Sequence, residues 1–239
     1  MKLAFRTRAR YNALRRMDMS MKCRIVGSVP NWETWCREVV NADLPCDWVE
    51  LRVDALPAEL TAEEIMDVLP CAGVLLTPRH QSEGGLRVWQ AEERLRLTLD
   101  LLPMAVAVDW EAALLPQAQA LVQAAKAQGA TLIASHHDFE KTPTLDEMLE
   151  IESAARAAGA DMVKFAFRVR CMDDVMVGVE LLRRATGPMA VMGMDAMYGP
   201  MSRILYAEHG SQLIYGYLGD KPTAPGQWSA ERFRRALNR

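Results

Sequence analysis

The stretch Arg156-Ala-Ala-Gly159-Ala-Asp-Met-Val-Lys164-Phe-Ala-Phe167 reads as a helix end, a glycine stop and the start of a buried strand. Lys126-Ala-Gln-Gly129-Ala-Thr-Leu-Ile-Ala-Ser135 repeats the plan upstream. Working outward, short apolar runs recur at 23–29, 48–53, 73–77, 105–109, 131–135, 162–166, 189–192 and 212–217, their starts about 23 to 32 residues apart. Helical segments lie between them, at 61–69, 91–101, 114–128, 145–158 and 175–185. Eight strands alternating with helices predict a single (β/α)8 TIM barrel over 21–239. An open doubly wound sheet is the rival, but Val26-Gly-Ser-Val-Pro-Asn31 carries no dinucleotide fingerprint after the first strand.

With 239 residues, half of them apolar, the chain can bury a sizeable core. A formal net charge of −3 gives no global basic field for nucleic acid or an anionic membrane. Residues 1–20 differ, since Lys2, Arg6, Arg8, Arg10, Arg15 and Arg16 stand against Asp18 alone, and they are expected to form a poorly ordered basic extension. No apolar run is long enough to suggest a membrane span. The five cysteines form no CxxC pair and have no histidine at ligand spacing, so they read as reduced thiols of a cytoplasmic protein with no metal site.

Lys164 interrupts an otherwise apolar strand and admits two readings. Its stem packs while its head reaches water, or its amine is buried, loses charge and becomes a nucleophile toward carbonyls. The strand ends around it are polar. They read Glu50-Leu-Arg52-Val-Asp54, Thr77-Pro-Arg79-His80, Asp109-Trp-Glu111 and Ser135-His136-His137-Asp138. Strand side chains alternate faces, so Glu50 with Arg52, Thr77 with Arg79, Asp109 with Glu111, and Ser135 with His137 each share one. A barrel keeps its active site at the C-terminal strand ends, and several polar pairs aimed at one mouth exceed what a solvated rim requires.

These runs, with Gln81-Ser-Glu83-Gly-Gly85, Gly199-Pro-Met-Ser-Arg203 and Ala224-Pro-Gly-Gln227, resemble in order those of the type I 3-dehydroquinate dehydratases. The resemblance implies a cofactor-free and metal-free lyase of the shikimate pathway, a cytoplasmic homodimer whose partner is the small molecule 3-dehydroquinate. It places Lys164 at the Schiff-base lysine, His137 at the general acid/base and Glu83 at the carboxylate that orients it. Glu50, Arg79, Arg203, Thr223 and Gln227 match substrate contacts, and Arg52 stands with them at the site. Asp109 and Glu111, like Arg52, fall in the network beneath the ligand. Thr223 occupies a position where the family usually has serine. Either Met192 or Met194 packs on the substrate, with Met194 favoured. His80 and His209 lie outside the matched positions. Two other readings stand beside this one, a class I aldolase using the same lysine and a non-catalytic ligand-binding barrel. Gly219 to Gln227 mixes Gly and Pro hinges with polar tips, as a closing lid does.

Overall fold

The computed structural model describes residues 23–40, 43–224 and 226–238. The basic segment 1–20 lies outside them. Strands β1 Arg24–Ser28, β2 Trp48–Arg52, β3 Gly73–Thr77, β4 Ala107–Glu111, β5 Thr131–Asp138, β6 Met162–Arg168, β7 Met189–Met194 and β8 Leu213–Tyr217 alternate with helices. These are α1 Trp32–Glu38, α2 Ala62–Met66, α3 Ala91–Leu101, α4 Gln119–Gln128, α5 Leu145–Ala157, α6 Met172–Arg184, α7 Gly199–Glu208 and α8 Ala230–Ala236.

Local chemistry sets the helix boundaries. Thr61 and Thr144 open α2 and α5 with capping boxes closed by Glu64 and Glu147. Helix α4 starts later than expected, because Pro116 lacks an N–H and disfavours helical geometry at Leu115, leaving Ala112–Gln117 as 3-10 turns. Helix α6 starts earlier, with Asp173 and Asp174 in its first turn, where the helix dipole favours acids. Strands β4 to β7 run past their expected ends. Pairings such as Glu111 with Ser135, His137 with Ala166 and Arg168 with Met194 extend the ladder through the polar residues, since backbone pairing rather than hydrophobicity ends a strand.

All pairings in the eight-stranded sheet are parallel, in the order β7-β6-β5-β4-β3-β2-β1-β8. The edges β7 and β8 approach to make a nearly closed barrel without a regular ladder between them. The Gln212 N–H donates to Met189 O at 2.8 Å, and Ser211 Oγ accepts from Val191 N at 3.0 Å while donating to Leu213 O at 3.2 Å. Alternation along the strands turns Val49, Leu51, Val74, Leu76, Val108, Leu132, Val163 and Phe165 toward the helices, all of them buried. The opposite face fills the barrel and supplies the site at its C-terminal mouth.

Candidate active site

Lys164 is the centre of a buried charge network. It is 3% exposed, and its Nζ donates to Asp109 Oδ2 at 2.7 Å while standing 4.6 Å from the centre of the Tyr215 ring. The lysine head therefore does not reach for water. It is one partner of an ion pair rather than a bare amine, so a proton has to leave before the nitrogen can attack a carbonyl. Asp109 Oδ1 accepts from Ser135 Oγ at 2.6 Å and from Arg79 Nη2 at 2.8 Å. Arg79 Nη1 donates to Ser135 Oγ at 2.7 Å and to Glu111 Oε1 at 3.1 Å. The other oxygen of Glu111 accepts from Arg94 of α3, whose guanidinium lies 3.7 Å over Trp110 and donates to Pro78 O at 2.7 Å. Burial alone raises a carboxyl pKa, but the charges of Arg79 and Lys164 hold Asp109 well below its usual range.

His137 Nδ1 lies 2.7 Å from Glu83 Oε2. Glu83 reaches it because the chain after β3 doubles back. Gly85 packs so tightly there that a Cβ would stand 2.3 Å from Arg79 O. Burial pushes the Glu83 carboxyl up to about 8, against the pull of Arg79 and with help from Glu111 and Asp109. Burial also depresses the His137 imidazole well below its usual value, reinforced by the charges of Arg79 and Lys164. Both shifts favour uncharged forms, which leaves the imidazole free to take a proton and the carboxyl holding its own. Phe139 stacks on His137, while His136 faces outward with its ring edge against Phe165.

The remaining walls come from β1, β2, β7, β8 and the last loop. Glu50 accepts from Ser28 Oγ at 2.8 Å and from Thr77 Oγ1 at 2.9 Å. Arg52 is held by both oxygens of Asp54 at 2.8 and 2.6 Å, and it lines the mouth. Arg203 of α7 donates to Gly193 O of β7 at 3.3 Å and to Tyr215 O of β8 at 2.7 Å, spanning the open seam. Burial pulls its guanidinium down to about 10. In the last loop Thr223 N and Oγ1 both donate to Gln227 Oε1, at 2.9 and 2.8 Å. Gly226 at φ 69° lies so close to Asp195 O that a side chain there would collide with the chain after β7. These groups enclose a cavity of about 180 Å³, lined by Lys164, His137, Glu83, Glu50, Arg203 and Gln227 among others. That is small beside the roughly 300–1,000 Å³ of common ligand pockets, so it suits a compact polar molecule.

The family model of type I 3-dehydroquinases matches residues 28–239. The chain belongs to that family. A 3-dehydroquinate dehydratase of Methanosarcina barkeri is 32% identical over 82% of this chain and 86% of its own length. One of Methanococcoides burtonii is 30% identical over 92% and 95%. The crystal structure of the 3-dehydroquinate dehydratase from Geobacillus kaustophilus superposes with a TM-score of 0.78, covering 92% of this chain and 91% of that one at 23% identity, a likeness of fold.

Against the residues that the resemblance to this family points to, the structure gathers Lys164, His137, Glu83, Glu50, Arg52, Arg79, Arg203, Thr223 and Gln227 around one cavity. Asp109 and Glu111 are buried partners of Arg79 rather than lining groups. Both Met192 and Met194 line it, since residues two apart on β7 share a face. Sequence reasoning missed Ser28, Arg94 and Tyr215. Ser28 continues the pattern of polar strand ends on β1, a signal open to reading. Tyr215 looks like a core aromatic, and Arg94 like any charge on a surface helix. Among the described residues no three of His, Cys, Asp and Glu are grouped to hold a metal ion, and no helix is long and apolar enough to cross a membrane.

Proposed function

We propose that this chain eliminates water from 3-dehydroquinate to give 3-dehydroshikimate, a step of the shikimate pathway, through an imine on Lys164. One observation carries the reading: a buried lysine, a histidine–carboxylate pair and a buried arginine with no carboxylate partner among the described residues all face a single small cavity. Arg203 suits the substrate carboxylate, because a fixed guanidinium matches two carboxylate oxygens at once.

The chemistry balances from the paired ammonium. When Lys164 condenses with the ketone, two of its three protons leave with the ketone oxygen as water and the third stays on the iminium nitrogen. The iminium acidifies the neighbouring C–H, because the electron pair left behind is drawn into the cationic nitrogen. Nε2 of His137 takes that proton, and the contact of its Nδ1 with Glu83 keeps the ring oriented as it does so. The proton then returns to the departing hydroxyl, and hydrolysis of the imine frees product and lysine. Glu50, already served by two hydroxyls, accepts from a ring hydroxyl, and Thr223 with Gln227 covers the mouth.

Borohydride added during turnover of 3-dehydroquinate should fix a stable adduct on the peptide containing Lys164. A label on another lysine, or none in an active sample, would defeat the mechanism. The same reading carries a cytoplasmic homodimer without metal or cofactor, which sedimentation and activity after exhaustive chelation check.

A further inference from the structure

Among the described residues two buried side-chain polar atoms have no hydrogen-bond partner, Trp110 Nε1 and Tyr215 Oη. They differ in place. Trp110 points to the helix layer beneath the Arg94 guanidinium, whereas Tyr215 sits on the inner face of β8 and lines the cavity. Tyr215 is 5% exposed, and its ring lies under the Lys164 ammonium. A phenyl ring alone would serve as that platform, so a phenylalanine would do the packing equally well. The hydroxyl adds nothing to the free protein, and a buried donor left unmade costs stability. Such a group is explained when its partner arrives with a ligand.

We propose that the Tyr215 hydroxyl donates a hydrogen bond to the substrate oxygen at the carbon attacked by Lys164, holding it as it turns from ketone to alcohol and leaves as water. The inference rests on the imine reading above. The N–C bond forms at Nζ, the carbonyl π pair moves onto oxygen, and the two protons that oxygen needs come from the ammonium. Tyr215 keeps its own proton throughout and acts as a donor aimed at developing negative charge, the role of an oxyanion-hole group. Burial, with the nearby charges of Glu50 and Asp109, pushes its phenol well above the usual range, so it is a donor and not a base. Glu50 cannot take this part, because its oxygens already accept from Ser28 and Thr77 and repel a developing anion.

The test is Tyr215→Phe, which removes one oxygen and keeps the ring. Turnover and borohydride trapping at Lys164 are followed with 3-dehydroquinate, and melting is recorded without ligand. The variant should melt at a higher temperature than the parent, lose about 10- to 100-fold in kcat and kcat/KM together, and form the trapped imine more slowly by a similar factor. Equal trapping and turnover rates in the two enzymes would overturn the proposal. So would slow turnover with imine formation at the parent rate, which would move the hydroxyl to a later step. If the parent itself yields no adduct, the imine reading fails and this inference falls with it, a result distinct from equal rates.

Discussion

From β2 to β6, the charged groups at the barrel mouth are saturated: Asp109 holds Arg79 and Lys164, Glu111 holds Arg79 and Arg94, and Glu83 holds His137. Across β7, β8 and the last loop, the Arg203 guanidinium meets, among the described residues, only the carbonyls of Gly193 and Tyr215, and the Tyr215 hydroxyl has no hydrogen-bond partner among them. The saturated half fixes Lys164 and His137 before a ligand arrives, which is where fixed dipoles and charges are most useful. The unsaturated half costs stability in the free protein and offers its unmade contacts to a ligand. The regular ladder also stops between β7 and β8, so the barrel is least tied together where it is least satisfied.

The sharpest break in this contrast falls within one strand. His137→Ala removes the proposed proton carrier from the saturated half and should lower turnover by about 10²- to 10⁴-fold while Lys164 still captures ligand. His136→Ala, on the outer side against Phe165, should cost far less. Steady-state kinetics on both, with folding checked by circular dichroism, decide it. A dead His136 variant beside a nearly normal His137 variant would reverse the assignment of faces and of roles.

Arg203→Met tests the other half. No carboxylate is orphaned by the change, so the fold should survive, whereas loss of a buried cation from a charge pair with substrate should raise KM by roughly 30- to 1,000-fold. Borohydride trapping at saturating substrate should still label Lys164. An unchanged KM would mean that the substrate carboxylate lies elsewhere and that Arg203 serves only the seam between β7 and β8.

The saturated half was largely legible in the pattern of polar strand ends, whereas Arg203, Thr223 and Gln227 of the other half were reached through the family resemblance alone, for a physical reason. Glu50, Arg79, Asp109, Glu111 and His137 are polar residues at strand ends, and alternation alone places each pair on one face. Lys164 stood out as a charge inside an apolar strand. Its state did not, because whether a buried lysine is a bare amine or half of an ion pair depends on Asp109, which lies 55 positions away. Arg94 and Tyr215 carry no local signal. An arginine on α3 reads as solvent-facing until Trp110 and Glu111 are found beneath it, and a tyrosine in a buried strand reads as core until its hydroxyl is found without a partner. The barrel rhythm was visible in the spacing of the apolar runs, but the strand ends were not, since backbone pairing carries β5 through His137 to Asp138.

The smallest effect concerns the Glu83 carboxyl, which belongs to the saturated half by geometry yet is pushed toward the neutral form. Its pKa rises from an ordinary 4.5 to about 8 in the folded protein. Between those values the unfolded chain has lost the proton and the folded chain keeps it, so folding binds a proton and stability falls as pH rises. Below about pH 4.5 both states are protonated and the group contributes no slope; above about pH 8 the loss is complete. Glu83→Gln cannot titrate. Subtracting parent from variant should therefore give a difference near zero in acid that grows from about pH 5 to 8 in favour of the variant, reaching about 3 kcal/mol at pH 7 as an upper figure. His137 works in the opposite sense, since its depressed pKa withdraws stability as pH falls, but it is present in both proteins and largely cancels. Denaturant melts at intervals from pH 5 to 8.5 measure the difference. A flat line, or one that favours the parent as pH rises, would show that the Arg79 charge, 3.8 Å from Glu83, outweighs burial and that the carboxylate is ionised in the free enzyme. Glu83 would then hold His137 as a fixed anion instead of as a neutral acid.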